Sequence, residues 1–204
     1  MKKIYGLLLS AFITTLGFSQ SENFNGVIRY HMMGNDVSQK DSMFIIFGKN
    51  QIRFDIYLPA DTKKTERSTM IVNFADSTMW MVNHDLKKYF VQPLSGFPQA
   101  VFNLAENNKI GLIAGQICQE YKGTMKHADG QIYEAATLIC KDYSYAAISN
   151  FNFLGIQPVV SNGKIVLAFR TKLVKENENT YIMAYKIESG NTDPWFDLTE
   201  YQRL

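Results

Sequence analysis

The sequence predicts a mainly β (α+β) fold: a strongly curved antiparallel sheet or half-barrel of about ten strands, with two or three short helices on one face. Three observations lead to this prediction. Apolar and polar residues alternate over most of the chain, which is typical of half-buried strands. Short turn-forming stretches separate these runs, and two interruptions have helical spacing instead. Residues 20–204 are expected to form a single domain, because no linker, repeat or low-complexity tract divides them.

Residues 1–19 have the layout of a secretory signal peptide. Two lysines precede an apolar run over residues 4–16, and small residues follow at Gly17 and Ser19. The apolar run is too short to span a bilayer stably. Cleavage after Ser19 would leave a periplasmic or secreted chain. The alternative is a buried N-terminal helix of a cytoplasmic protein.

The net charge argues against a nucleic-acid partner. The full chain carries 21 basic and 19 acidic residues, and two of the lysines lie in the predicted signal peptide. The remaining chain is about neutral, whereas nucleic-acid-binding domains carry a basic face or stripe. After removal of the signal, no apolar stretch of the sequence is long enough to cross a membrane.

The clearest local signal is a β-hairpin over residues 110–141, which holds both cysteines of the chain. Asp129 and Gly130 mark its turn, because Gly130 can adopt positive φ without a Cβ clash. A three-residue loop would place Cys118 directly opposite Cys140, and a two-residue turn would point the thiols to opposite faces. The side-chain alternation favours the three-residue loop. In an exported chain this register predicts a disulfide, with two separate free thiols as the alternative.

Alternation predicts the other strands in chain order. They cover residues 24–33, 43–47, 51–58, 69–74, 78–82 and 88–91, and later 164–174 and 181–188. Polar turns join them, and residues 59–67 are expected to form an exposed loop. The last two strands are expected to close a hairpin around residues 175–179.

Three stretches are predicted to be helical. Pro98 can begin a helix in which apolar residues up to Leu104 follow at helical spacing. Asp142 can cap a second short helix that ends near Gly155. Asp193 can begin a terminal helical turn, since a proline follows it.

Groups suited to catalysis or metal binding are few. His31, His84 and His127 lack HxxxH or HxH spacing and are interpreted as surface residues. The sequence contains no GxSxG elbow, glycine-rich phosphate loop or CxxC pair. Carboxylates such as Asp55 and Glu120 are expected on solvated strand faces. An enzyme, a cofactor and a metal are therefore not expected, although His84 beside a carboxylate would make a hydrolase with an unconventional site.

Soft apolar side chains point to a different function. The chain has 9 Met, 14 Phe and 11 Tyr, and flexible Met side chains adapt to irregular apolar ligands. The residues predicted to line an apolar cavity are Met32, Met43, Phe47, Phe54, Met79, Trp80, Met81 and Met183. The same side chains could instead fill an ordinary core.

The chain contains, in this order, the segments FNGVIRYHM, KNQIRFDI, STMWMVNHDLKKYF and IAGQICQEYKG. Together they resemble a family of exported bacterial proteins described only as a domain of unknown function. That family is similar in expected shape to periplasmic lipoprotein carriers of the LolA/LolB type, whose half-barrel and helical lid hold acyl chains. The resemblance implies a curved sheet and a lipid ligand.

The leading interpretation is a non-enzymatic periplasmic binding or carrier protein for a lipid, an acyl chain or another apolar small molecule. The alternative is a structural or protein-interaction module of the cell envelope, in which an exposed edge or loop recruits a protein partner. A cavity lined by Met and aromatic side chains would favour the carrier. A filled core with a large exposed apolar patch would favour the module.

Overall fold

A computed structural model describes residues 22–33, 41–58, 66–96, 99–173 and 179–204. The predicted signal peptide at 1–19, most of the predicted loop at 59–67, Pro98 and most of the loop at 175–179 lie outside the described residues. Within these ranges, no helix has the length and hydrophobicity that crossing a membrane requires.

The described residues form fifteen strands. In the first half these are β1 (Glu22–Asn23), β2 (Gly26–Met33), β3 (Asp41–Phe47), β4 (Gln51–Leu58), β5 (Glu66–Asn73), β6 (Thr78–Asn83) and β7 (Lys88–Pro93). In the second half they are β8 (Val101–Ile113), β9 (Gln116–Lys126), β10 (Ile132–Ser144), β11 (Phe151–Phe153), β12 (Gln157–Ser161), β13 (Lys164–Leu173), β14 (Asn179–Ser189) and β15 (Gln202–Arg203).

The strands form one large, open, curved sheet. Its order from edge to edge is β15-β7-β6-β5-β4-β3-β2-β14-β13-β10-β9-β8. The path from β2 to β7 is a meander of antiparallel neighbours, as the alternation predicts, and β15 runs parallel to β7 at one edge. β14 pairs with β2, so the last long strand joins the two halves of the sheet. β11 and β12 leave this path, with β12 attached to β13.

The prediction of a mainly β fold is confirmed, but the strand count and the helices are wrong. The described residues hold fifteen strands rather than about ten, and their helical segments are two short 3-10 helices, Leu94–Gly96 and Asp193–Phe196. The second is the predicted terminal turn, with Pro194 in its first positions. Across the described ranges, the predicted helical cover over one face of the sheet is absent.

The two predicted internal helices are strands and turns. In β8, half-buried Phe102 and Leu104 alternate with exposed neighbours such as Val101. Phe102 and Leu104 pack beside Met125 in a small second core, so burial at every second residue decides the conformation against helical spacing. Asp142 lies inside β10 rather than at a helix cap.

The β9–β10 hairpin has the predicted register, with Cys118 directly opposite Cys140. At its turn, the His127 N–H donates to the Gln131 carbonyl at 2.9 Å. Gly130 has a φ of 90°, a conformation that glycine adopts without steric cost. The three-residue loop is therefore confirmed.

The meander from β2 to β7 is covered on both faces by different segments. Its inner face carries Ile45 and Phe54, which lie directly opposite each other and are fully buried. The β11 strand covers this face, since Phe153 stacks on Phe54 at 4.3 Å between ring centroids. The outer face carries Arg53 and is covered by the C-terminal segment, residues 191–204, whose Trp195 carbonyl accepts a hydrogen bond from Arg53.

Candidate functional site

An apolar cavity of about 250 Å³ lies on the inner face of the sheet and is partly open to solvent. β5 and β6 supply one wall. Val72 lies directly opposite Met79, and Met70 points the same way from two residues along β5. Leu94 adds to this wall from the first 3-10 helix, and residues 148–155 form the facing wall.

The facing wall is positioned by the tight turn between β11 and β12. Leu154 and Gly155 have φ angles of 49° and 75°, which reverse the chain in two residues. The Gly155 carbonyl accepts a hydrogen bond from the Ala100 N–H at 2.6 Å. This bond ties the turn to the chain just before β8. Leu154 lines the cavity while 45% of its surface remains exposed, so it stands at the mouth.

The polar groups of the cavity are uncharged. Gln99, Asn150 and Asn152 line it, and the described lining residues include no charged side chain. Asn152 Nδ2 lies 3.5 Å from Gln99 Oε1, and Asn150 Oδ1 accepts from the Asn162 N–H at 3.0 Å. A charged ligand group would find no opposite charge here, so its transfer from water would be costly. The cavity suits an apolar chain that ends in an uncharged polar group.

The eight predicted ligand-binding residues do not lie together in the structure. Met79 lines the cavity; Met43, Phe47 and Phe54 are fully buried in the core; Met32, Met81 and Met183 pack against the core. Trp80 is on the outer face, where its ring stacks on Tyr89 at 5.7 Å between centroids. Met183 pairs with His31, so it points away from the face that carries Met32.

Sequence reasoning missed most of the cavity wall. Met70 and Val72 had a usable signal, since strand alternation places them on the same face as their partners on β6. Phe151 and Leu154 had no usable sequence signal. A helix was predicted after Asp142, in place of the turn that brings these two residues to the cavity.

Residues 24–140 match the family described as Domain of unknown function (DUF4412). The chain belongs to this family. The match confirms the resemblance to a family of unknown function that the four sequence segments indicate. In this DUF4412 chain, the matched region contains the β5–β6 wall of the cavity and ends inside β10. The facing wall, residues 148–155, lies beyond it.

The DUF4412 chain is also similar to solved structures of low sequence identity. An uncharacterized conserved protein from Thermus thermophilus is 8% identical with a TM-score of 0.49, over 88% of this chain and 90% of that one. MucB, solved in complex with MucA(peri), is 9% identical with a TM-score of 0.47, over 88% of this chain and 55% of that one. A DUF1329 family protein from Desulfovibrio piger ATCC 29098 is 13% identical with a TM-score of 0.27, over 86% of this chain and 90% of that one. Comparison with curated proteins gives no match.

The predicted disulfide is not present in the structure, in which Cys118 and Cys140 are free, buried thiols. Cys118 Sγ donates to the Gln116 carbonyl at 3.5 Å rather than bonding across the strand pair. Burial raises the pKa of Cys118 to about 12 and also raises the pKa of Cys140. Disulfide chemistry proceeds through the thiolate, so these protonated thiols behave as small core residues.

The outer face holds a buried charge cluster that the sequence did not predict. Asp55 is fully buried rather than solvated. Its carboxylate accepts hydrogen bonds from Arg53 Nε at 3.0 Å and from Arg67 Nη2 at 2.6 Å. Thr69 Oγ1 donates a third bond at 2.5 Å. A buried carboxylate is tolerated when opposite charges and hydrogen bonds replace its water, and this cluster supplies both.

The cluster attaches the C-terminal segment to the sheet. The Arg53 guanidinium lies 5.9 Å from the centroid of the Trp195 ring, in addition to its hydrogen bond to the Trp195 carbonyl. His84 extends the cluster, with Nε2 at 2.7 Å from Thr69 Oγ1 and Nδ1 at 2.8 Å from the Tyr201 hydroxyl. His84 is therefore a half-buried residue fixed by two hydrogen bonds, and not a freely solvated one. β15 completes the attachment by pairing with β7.

His84 lies near the Asp55 carboxylate without a direct hydrogen bond to it. Its link to Asp55 runs through Thr69, and these two residues are 0% and 1% exposed. A general base must come within hydrogen-bond reach of its substrate, and both ring nitrogens of His84 are already hydrogen-bonded, to Thr69 and to Tyr201. The hydrolase alternative finds no support in this cluster. Among the described residues, no three His, Cys, Asp or Glu side chains are grouped to hold a metal ion.

The His84 link is expected to weaken in acid. Burial, followed by the charges of Arg67 and Arg53, lowers the pKa of His84 below its ordinary value of 6.5. The unfolded chain therefore binds this proton at a higher pH than the native protein does. The stabilisation is fully present above about pH 6.5 and is lost as the pH falls through the window below it. The urea midpoint should decrease between about pH 8 and about pH 5.5.

The His84→Gln variant isolates this contribution, because glutamine does not titrate. Its urea midpoint should fall less across the same interval than that of the wild type. His127→Gln is the matched control, since His127 lies in the β9–β10 turn outside the cluster. An equal acid-side decrease in the wild type and in His84→Gln would contradict the assignment to His84.

Proposed function

We propose that this DUF4412 chain is a periplasmic, non-enzymatic binding protein that holds one apolar chain of a lipid or acyl ligand in the inner-face cavity. The observation that supports the proposal is the cavity itself, which is apolar, partly open and free of charge among its described lining residues. Export is supported by the layout of residues 1–19.

The size of the cavity limits the ligand. Its volume of about 250 Å³ lies just under the range of about 300–1,000 Å³ that is usual for small-molecule sites. A single acyl segment therefore fits better than a whole phospholipid. Met70 and Met79 line it with unbranched side chains that rearrange easily, which lets chains of different shape enter.

The mouth of the cavity indicates the polar end of the ligand. Gln99 and Asn152 bring amide groups to the lining, and amides offer both donors and acceptors to an ester or amide. A free carboxylate would have no cationic partner there. An acyl ester or acyl amide is therefore the proposed ligand class.

Native mass spectrometry of the protein as the cell produces it tests the proposal, with monopalmitoylglycerol offered afterwards as an uncharged probe. A stoichiometric adduct is expected. Leu154→Asp places a charge at the mouth and should reduce uptake at least about tenfold, because the carboxylate would be desolvated by the bound chain. Aspartate also tolerates the positive φ at this position.

Ile156→Asp is the matched control, because Ile156 is 40% exposed in the same turn but does not line the cavity. This variant should bind the probe as the wild type does. A clean apo mass with no uptake of the probe would contradict the proposal and would favour the envelope interaction module. Equal losses in Leu154→Asp and Ile156→Asp would show that the turn, and not the cavity mouth, was disturbed.

A further inference from the structure

The end of the β8–β9 hairpin exposes an apolar surface, defined by Ile110, Leu112 and Ile117 and called the tip patch. These residues are 65%, 72% and 48% exposed. Leu112 and Ile117 lie directly opposite each other, and Ile110 lies on the same face two residues from Leu112. Three large aliphatic side chains exposed side by side form an apolar patch, and such patches mark candidate interaction surfaces.

The opposite face of the same hairpin end is anchored in the main core. Ile113 and Cys118 are buried there, 9% and 0% exposed, as members of the main core cluster. Gly111 lies so close to Leu138 that an added Cβ would be 3.1 Å from its side chain. The hairpin therefore cannot rotate to bury the tip patch, because doing so would expose Ile113 and Cys118.

Lysines lie next to the tip patch along β8 and on the neighbouring strands β10 and β13. Lys109 precedes Ile110 and is exposed. Lys141 is exposed and follows Cys140, which lies opposite Cys118, and Lys164 Nζ donates to the Lys141 carbonyl at 3.0 Å. Asp142 is the acidic residue in the same stretch of β10. Glu120 on β9 also interacts with the Lys109 charge, but it pairs with Lys122 at 3.3 Å. Four lysines against two carboxylates therefore leave this end of the hairpin positively charged.

The composition of the tip patch favours a membrane over a protein partner. Protein interfaces are enriched in aromatic residues and arginine and depleted in lysine, and the tip patch has aliphatic side chains with lysines around them. Aliphatic side chains that enter the acyl boundary, with lysines beside the phosphates, are typical of binding to anionic lipid surfaces.

We propose that the tip patch is the site at which this protein docks on an anionic membrane surface. Ile110, Leu112 and Ile117 enter the boundary between headgroups and acyl chains, and the lysines contact lipid phosphates. The hairpin is held rigidly by its core-facing side, so docking requires no rearrangement of the sheet. This proposal goes beyond ligand binding in the cavity and does not depend on it.

Co-sedimentation with vesicles tests the proposal, using phosphatidylglycerol mixed with phosphatidylcholine, and phosphatidylcholine alone. The wild type should bind the anionic vesicles more strongly, and added salt should weaken this binding. The double variant Leu112→Ser and Ile117→Ser should reduce the partition coefficient at least about tenfold, because two large aliphatic groups no longer leave water. Both residues are exposed, so the fold should be retained, and circular dichroism with a urea midpoint verifies this.

Leu86→Ser is the matched control, since Leu86 is 64% exposed in the turn between β6 and β7. It should bind vesicles as the wild type does. Absence of wild-type binding, unchanged binding by the double variant, or an equal loss in Leu86→Ser would each overturn the proposal. A lipid-free dimer that dissociates in the double variant would also overturn it, because the tip patch would then be a contact between two copies of the chain.

Discussion

Replacement of Asp55 by alanine is expected to lower the free energy of unfolding by about 3–5 kcal/mol. The carboxylate is fully buried and is the shared partner of Arg53 and Arg67. Its removal leaves the Arg53 guanidinium, whose side chain is 7% exposed, without an opposite charge in a site that water does not reach. Arg53 also donates a hydrogen bond to the Trp195 carbonyl. The C-terminal segment should therefore be less firmly attached to the sheet in this variant.

Urea denaturation measures the stability loss, and limited proteolysis of the C-terminal segment measures its release. Glu200→Ala is the matched control. Glu200 is in the same C-terminal segment and pairs with Lys87 of the sheet, but both side chains are mostly exposed. Such a surface pair contributes about 0–1 kcal/mol. If Asp55→Ala cost no more than Glu200→Ala, the cluster would not be what holds the segment.

Replacement of Phe54 by alanine is expected to cost about 3–5 kcal/mol, because a fully buried aromatic ring is removed from the core. The ring stacks on Phe153 and lies 6.1 Å from Phe151, which lines the cavity. Phe54 is also directly opposite Met70, another lining residue. The space left by the ring should therefore extend the cavity, and the variant should accept bulkier apolar ligands than the wild type.

Phe90→Ala is the matched control for this substitution. Phe90 is on β7 in the same cross-strand row, reached from Phe54 through Met70 and Met81, and is 45% exposed. It should cost much less, because the ring is already partly in water and its removal leaves no enclosed space. Urea midpoints of the two variants give the comparison, and similar costs would contradict the description of Phe54 as a central core residue.

The local rules of strand and turn formation explain what could be predicted from the sequence. The β9–β10 register followed from the position of Gly130 and from the alternation beside it, and the structure has the same pairing of Cys118 with Cys140. The meander from β2 to β7 followed in the same way. Each of these features depends on residues that are close in the chain, so periodicity and turn chemistry suffice to find them.

The helix predictions were wrong because short apolar runs fit both the helical period and the strand period. Ala100, Val101 and Leu104 suit a helix by spacing, yet Phe102 and Leu104 are also two residues apart, on either side of polar Asn103. The contacts that choose the strand, such as Phe102 opposite Met125, come from β9, a hairpin away. Tertiary pairing therefore overrides the local preference, and no window of sequence around residue 102 contains that information.

The burial of the charge cluster was not predicted from the sequence, for a related reason. Alternation correctly places Arg53 and Asp55 on the face opposite Phe54, and a polar strand face is ordinarily solvated. What covers this face is the C-terminal segment, through Trp195 and Tyr201. The available signal was a run of aromatic residues after the last long strand, but nothing in that run identifies the strands against which it packs.

The pairing of β14 with β2 has a consequence for how the chain reaches its native state. Ser189 lies opposite Gly26 and Tyr181 opposite Met33, so strands from the two ends of the described chain are neighbours at the middle of the sheet. Contacts of such long sequence separation form slowly, since a large loop must close before they are gained. A chain that is still being synthesised presents the hydrogen-bonding edge of β2 without its partner, and unpaired edges of this kind promote aggregation. Until the final strands have been synthesised, this edge of β2 therefore remains open to pairing with other chains.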